Sequence, residues 1–179
     1  MNHTGFVYND GGRLAAGFRG AAGDCVTRAI TIATGGDYRA VYDELFARGR
    51  DLAETGRSRA ARRLKSRGAT PRNGTLRKVY EPYLIDRGWV WTPTMHIGQG
   101  CTVHLRRDEL PAGTLIARVS RHLVAIVDGT AYDTHDPVRG GSRCVYGYYQ
   151  PPPGGIFSDN PNAAIAALAT ELAATGGSI

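Results

Sequence analysis

The stretch HLVAIVDGTAYDTHDP, residues 122–137, determines more of the fold than any other part of the 179-residue chain. Apolar residues fill Leu123–Val127, which predicts a buried strand, and a second short run follows at Ala131–Thr134. Asp128-Gly129 separates the two runs, and this dipeptide is typical of a tight hairpin turn. The stretch therefore predicts two antiparallel strands, with a histidine at the start of the first.

The length of this turn determines which carboxylate can face His122. With a two-residue turn, His122 lies opposite His135, and Asp133 is diagonal to His122 on the same face. With a three-residue loop that includes Thr130, or with one β-bulge, His122 lies opposite Asp136 instead. The sequence leaves both registers open, so either carboxylate could orient the imidazole.

In the chain before the hairpin, apolar residues recur at the spacing typical of helices. Asp24 and Asp37 are expected to be N-caps, and Gly35-Gly36 is expected to end the first helix. Pro82 should disturb the last helix because it lacks an amide hydrogen. The predicted helices are Cys25–Thr34, a second one that follows Asp37, Arg59–Ser66 and Thr75–Asp86.

After Gly88 the periodicity becomes that of short strands. Besides the hairpin, the predicted strands are Trp89–Thr92, Thr102–Leu105, Leu115–Val119 and Cys144–Tyr149. Helices followed by a twisted antiparallel β-sheet form the α+β pattern. We expect one such domain over residues 1–150. In residues 151–179, a Pro/Gly linker leads to a predicted helix, Asn162–Ala174, that either docks on the domain or forms a tail.

The composition is that of an ordinary folded protein, with 42% apolar and 21% charged residues. No apolar stretch is long enough to span a membrane, and the first residues lack the features of a secretory leader. We therefore expect a cytoplasmic protein with no membrane partner. The odd number of cysteines, three, predicts free thiols at Cys25, Cys101 and Cys144.

The net charge of +6 is concentrated between Arg57 and Arg72, where seven basic residues occur without an acidic one. Such a segment can hold phosphate groups or an acidic protein partner. No aromatic residue interrupts it, which argues against a platform for stacked bases. Nucleic acid and an acidic partner both remain possible ligands of this segment.

Cys25 is the candidate nucleophile because it is predicted at the N-terminus of a helix. The positive end of the helix dipole and unpaired backbone amides both favour the thiolate there. Arg28, one turn further on, could help. Asp24 opposes thiolate formation unless its own charge is neutralised.

The sequence predicts neither a metal site nor a cofactor site. Cys101 and His104 have ligand spacing, with Cys144 and His96 also available. However, structural zinc sites normally contain a second closely spaced pair, and the sequence has none. The sequence also contains neither a P-loop nor a dinucleotide-binding fingerprint in a strand-to-helix context.

The order of Cys25, His122 and a following aspartate resembles that of the papain-like cysteine peptidase superfamily. The resemblance spans Gly23 to Pro137, and the segment after His122 is especially similar to bacteriocin-leader peptidases. It implies a papain-like fold and a cysteine protease, or related thiol hydrolase, that acts on a peptide, isopeptide or other amide bond. It also implies a bacterial or phage origin. Asp136, which precedes Pro137, takes the position of the third catalytic residue, with Asp133 as the alternative.

One position departs from the pattern of that superfamily. A glutamine commonly precedes the nucleophile by about six residues and donates to the oxyanion, but this chain has Arg19 there. Arg19 and the backbone amide of Cys25 are therefore the expected oxyanion donors. The alternative function is a non-catalytic papain-fold binding protein that holds nucleic acid or an acidic protein through residues 57–72.

Overall fold

The structure is a computed structural model that describes residues 4–152. Its helices are α1 (Cys25–Thr34), α2 (Tyr38–Thr55), α3 (Arg59–Arg67) and α4 (Arg77–Ile85). Its strands are β1 (Gly5–Tyr8), β2 (Val90–Pro93), β3 (Thr114–Val119), β4 (His122–Val127), β5 (Thr130–Asp133) and β6 (Val145–Gln150). The predicted α+β class is confirmed. The predicted helix at Asn162–Ala174 lies outside the described residues.

The six strands form one mixed sheet in the order β1-β5-β4-β3-β6-β2. The prediction of a purely antiparallel sheet is wrong, because β1 pairs with β5 in the parallel direction. All four residues of β1 are exposed, so this strand lacks the alternation by which a strand is recognised in sequence. Thr102–Leu105 is not a strand either and forms only a single bridge, between His104 and Cys144.

The hairpin of β4 and β5 has the two-residue turn. Val127 pairs with Thr130, which leaves Asp128 and Gly129 as the turn. Their φ angles of 48° and 74° are both positive, as a type I′ turn requires. This register places Asp133 diagonally across from His122, on the same face of the sheet.

The sheet is buried on both faces, which explains the unbroken apolar run in β4. On one face, α1 packs against β4 through Val26 and Ile30, which belong to the same apolar cluster as Leu123 and Ala125. On the other face, Val124 and Ile126 belong to a second cluster with residues such as Leu105, Leu110 and Val138. The position of α1 is thus set by the central strand that begins with His122.

The helix starts are explained by their capping residues in two cases and not in a third. Asp37 accepts a hydrogen bond from the Ala40 amide at the start of α2, and Ser58 accepts one from the Ala61 amide at the start of α3. Asp24 precedes α1, as predicted, but its side chain makes no capping hydrogen bond. The predicted capping role of Asp24 is therefore wrong.

Cys101 and Cys144 form a disulfide, so the prediction of three free thiols is wrong. An odd count excludes a complete set of disulfides, but it allows one pair and one free cysteine. The bridge between His104 and Cys144 brings the loop that contains Cys101 close to the start of β6. Cys25 is the free cysteine.

Residues 4–152 contain no group of three or more His, Cys, Asp or Glu side chains arranged to hold a metal ion. None of their helices has the length and apolar character needed to cross a membrane.

We expect the double variant Cys101→Ser/Cys144→Ser to lower the free energy of unfolding by about 2–4 kcal/mol, because the disulfide closes a long loop in the unfolded chain. Urea unfolding of both proteins without reductant measures the difference. Adding a reductant should destabilise the wild type and leave the variant unchanged. Three alkylated cysteines in the unreduced, denatured wild type would contradict the disulfide.

Candidate active site

Cys25 is the first residue of α1 and is partly buried. No side chain caps this helix, so the backbone N–H groups of its first turn keep their positive potential for a bound anion. Gly23 packs closely against the 72–74 turn: a Cβ at Gly23 would lie 3.4 Å from the Arg72 carbonyl oxygen. The backbone before Cys25 is thus supported by a neighbouring turn.

His122 connects Cys25 to Asp133. The Nε2 atom of His122 forms a short hydrogen bond with the Oδ2 atom of Asp133. The His122 ring lies beside the Cys25 side chain in the same cleft, close enough for each group to shift the pKa of the other. Because Nε2 is engaged by Asp133, Nδ1 is the ring nitrogen that remains for the sulfur. The structure therefore brings together the predicted nucleophile, the predicted base and the alternative third residue.

Asp136, the preferred third residue in the sequence prediction, makes no hydrogen bond with His122, although both line a small pocket of about 190 Å³. Its Oδ1 atom accepts a hydrogen bond of 2.8 Å from the Val138 amide in a turn beyond the end of β5. The tight Asp128-Gly129 turn is the physical reason, because it puts Asp133 rather than Asp136 beside the imidazole. The preference for Asp136 is therefore corrected in favour of Asp133.

Asp133 is buried and held in place by several donors. Its Oδ1 atom accepts a hydrogen bond of 2.7 Å from the Thr134 amide, and the Arg28 Nη2 atom lies 3.4 Å from the same oxygen. With His122 on the other oxygen, both carboxylate oxygens have partners. The carboxylate is consequently fixed in orientation before any substrate binds.

Arg28 joins this carboxylate to a second buried one, Asp24. The Arg28 Nη1 atom donates to Oδ1 of Asp24 in a short contact. The other Asp24 oxygen accepts hydrogen bonds from Arg13 Nε at 2.6 Å and from the Tyr38 hydroxyl at 2.5 Å. The negative charge that opposed thiolate formation is thus neutralised by two arginines.

Sequence reasoning missed Arg13 as part of this network and assigned no partner to Arg28. Arg28 lies four residues after Asp24 on the buried face of α1, and that spacing is a sequence signal for an ion pair. For Arg13 the sequence offers no comparable signal, because its contact with Asp24 spans eleven residues of irregular chain.

The electrostatics of the site favour a thiolate beside an imidazolium. Burial raises the pKa of the Cys25 thiol, but its hydrogen bond with His122 and the charge of His122 outweigh burial. The backbone of Leu123 and the charge of Arg28 add to this effect, so the Cys25 pKa lies below its ordinary value.

The pKa values of His122 and Asp133 are shifted in the directions that favour their charged forms. Burial lowers the pKa of His122, but hydrogen bonds with Asp133 and Cys25, and their charges, raise it from 6.5 to about 9. Burial raises the pKa of Asp133, but the hydrogen bond and charge of His122 outweigh burial, so the Asp133 pKa lies below its ordinary value. At neutral pH these shifts leave Asp133 negatively charged and His122 positively charged, and the shift of the Cys25 pKa favours the thiolate.

Cys25 and His122 line a cleft of about 670 Å³. Arg19 is not among the residues that line this cleft. It is exposed, and its carbonyl oxygen accepts hydrogen bonds from Arg13 and Arg72. Of the two predicted oxyanion donors, only the Cys25 amide lies at the site.

We expect Arg28→Met to lower the free energy of unfolding by about 3–5 kcal/mol, because it removes a partner from two buried carboxylates. Arg50→Met is the control, because Arg50 pairs with Glu54 at the surface, and this exposed pair should contribute less than about 1 kcal/mol. Urea unfolding of both variants measures the two effects. Equally small decreases in the free energy of unfolding of the two variants would contradict the structural role of Arg28.

In comparisons with known proteins, the chain matches no protein-family model, no curated protein and no solved structure. The chemistry of the chain is therefore inferred from its own site, in which His122 forms a hydrogen bond with Asp133 and lies beside Cys25.

Proposed function

We propose that this protein is a cysteine peptidase, or a related thiol hydrolase, of papain-like fold. Cys25 would attack the carbonyl carbon of a peptide, isopeptide or other amide bond. The observation that carries the proposal is that one imidazole, His122, forms a hydrogen bond with a buried aspartate and lies beside the free cysteine, whose pKa it lowers. Nucleophile, base and orienting carboxylate in this arrangement are the requirements of nucleophilic acyl transfer.

In the first half-reaction, the Cys25 thiolate attacks the carbonyl carbon and the carbonyl oxygen becomes an oxyanion. The Cys25 N–H, at the uncapped start of α1, is in a position to donate to this oxyanion. The imidazolium of His122 then gives its proton to the leaving nitrogen, the C–N bond breaks, and a thioester forms on Cys25.

In the second half-reaction, neutral His122 takes a proton from water, and the hydroxide attacks the thioester. Collapse of the second oxyanion releases the carboxylic acid and restores the thiolate and imidazolium. Asp133 keeps the imidazole in one orientation throughout and stabilises its positive charge. Arg28 acts through Asp133 and is a positioning residue.

The alternative is a non-catalytic binding protein that uses the basic segment from Arg57 to Arg72. One observation favours it: Arg63 and Arg67 of this segment line the same cleft as Cys25. Under this alternative, the cleft would bind an anionic partner, and the reactivity of Cys25 would have no role.

We expect iodoacetamide to alkylate Cys25 at pH 6 faster than it alkylates free cysteine, because the pKa of the Cys25 thiol is lowered. His122→Ala should slow this reaction, because burial then raises the thiol pKa without the opposing hydrogen bond. Mass spectrometry of the intact protein without reductant follows the reaction. Cys25→Ala should show no labelling, since the other two cysteines form the disulfide.

A small activated ester, p-nitrophenyl acetate, separates catalysis from simple reactivity in the same variants. The wild type should form an acetyl adduct on Cys25 and then lose it to water. If alkylation at pH 6 is equal in the wild type and His122→Ala, and no adduct turns over, the protein is not a thiol hydrolase.

A further inference from the structure

The cleft around Cys25 is the middle part of a longer groove. A second cavity, of about 510 Å³, shares Arg121 with the cleft and is also lined by Ser120 and Ser142. A third, of about 260 Å³, shares Arg77 and Arg118 with the cleft. The second and third cavities have no lining residue in common, so they adjoin the cleft at different places. An extended molecule in this groove would pass Cys25.

The lining of the three cavities is strongly basic. Seven arginines and not one aspartate or glutamate line them. The arginines are Arg63, Arg67, Arg77, Arg118, Arg121, Arg139 and Arg143. The uncapped N-terminus of α1 adds further positive potential at the centre of the groove.

Three of these arginines are engaged by the protein itself. Arg77 pairs with Glu81 at 2.5 Å. Arg67 donates to the carbonyl oxygens of Asn73 and Gly74 at 3.0 Å and 2.6 Å. Arg143 donates to the Ser120 carbonyl oxygen at 2.7 Å. These three side chains form part of the groove wall. The charge of Arg77 is already balanced by Glu81.

The other four arginines make no side-chain hydrogen bond or ion pair within residues 4–152. They are Arg63, Arg118, Arg121 and Arg139, and of these Arg118 only stacks over the Tyr146 ring, at 5.7 Å. Neighbouring like charges add to the potential: besides burial, the charge of Arg63 lowers the pKa of Arg67, and that of Arg139 lowers the pKa of Arg143. Uncompensated guanidinium groups around a groove are a binding site for carboxylates or phosphates.

We propose that the groove binds an extended acidic segment of a protein, with Asp or Glu side chains on both sides of the bond that Cys25 attacks. This inference rests on the proposed function, because a thiolate attacks acyl carbons, which a polypeptide offers. The cleft also contains apolar side chains, among them Val26, Leu76 and Leu123, that can contact a peptide backbone. Tyr80, the aromatic residue of the cleft, is buried at 3% exposure and offers no face for stacking a base. The other two aromatic rings of the groove, Trp91 and Tyr146, already have Arg77 and Arg118 stacked over them.

Fluorescence anisotropy with dye-labelled peptides tests this inference. The protein is Cys25→Ala, which cannot cleave, and the probes are a twelve-residue peptide with alternating Glu and Ala and its matched peptide with Gln for Glu. We expect the Glu peptide to bind about tenfold more tightly or better at low salt, and to lose affinity as NaCl is added.

The double variant Arg63→Gln/Arg121→Gln, made in Cys25→Ala, should weaken binding of the Glu peptide by about tenfold. Both side chains are exposed, so the fold should tolerate their replacement. The matched control is Arg50→Gln/Arg62→Gln, which removes the same charge from exposed positions outside the groove and should leave the affinity unchanged.

Equal affinity for the Glu and Gln peptides would overturn the inference, as would equal effects of the two double variants. Tighter binding of a single-stranded oligonucleotide than of the Glu peptide would also overturn it. The proposed function is tested separately by the reactivity of Cys25. Peptide binding with an inert Cys25 would refute the thiol hydrolase alone, and a reactive Cys25 without peptide binding would refute the acidic substrate alone.

Discussion

The ion pairs of Arg28 are the constraint on which the site depends. Arg28 extends from the buried face of α1 to two carboxylates, Asp24 beside the nucleophile and Asp133 on the sheet. It therefore couples the helix that carries Cys25 to the strand that carries the partner of His122. Removing two carboxylates and a guanidinium from water is costly, and only close, mutual pairing can offset that cost. The charge of Arg28 also helps to lower the pKa values of Cys25 and Asp133.

The surrounding fold holds the helix and the two strands in the positions that these ion pairs require. The apolar residues of β4 are buried on both faces of the sheet, so the strand has one register and one orientation. That register brings His122 to the start of the strand, beside α1. The Asp128-Gly129 turn then reverses the chain, so that Asp133 lies next to the imidazole. Packing of β4 and the tight turn together bring the three polar side chains of the site close to one another.

Much of this arrangement could be predicted from local sequence. The bounds of α1 and the presence of the β4–β5 hairpin follow from periodicity and dipeptide preferences, and the starts of that helix and strand singled out Cys25 and His122 as candidates. The third residue could not be settled, because a one-residue change in turn length exchanges Asp133 for Asp136. Three features depend on contacts between residues that are not close in sequence: the parallel strand β1, the disulfide between Cys101 and Cys144, and the ion pair between Arg13 and Asp24. Local patterns carry no information on such contacts.

The most direct test of the account is an NMR titration of the His122 imidazole nitrogens, in the wild type and in Cys25→Ala. In the wild type, His122 should stay protonated through neutral pH and lose its proton at about pH 9. Because the hydrogen bond and charge of Cys25 help to raise this pKa, the variant should titrate at lower pH. A wild-type His122 that titrates at or below its ordinary value of 6.5, with no change in Cys25→Ala, would contradict a thiolate–imidazolium pair at this site.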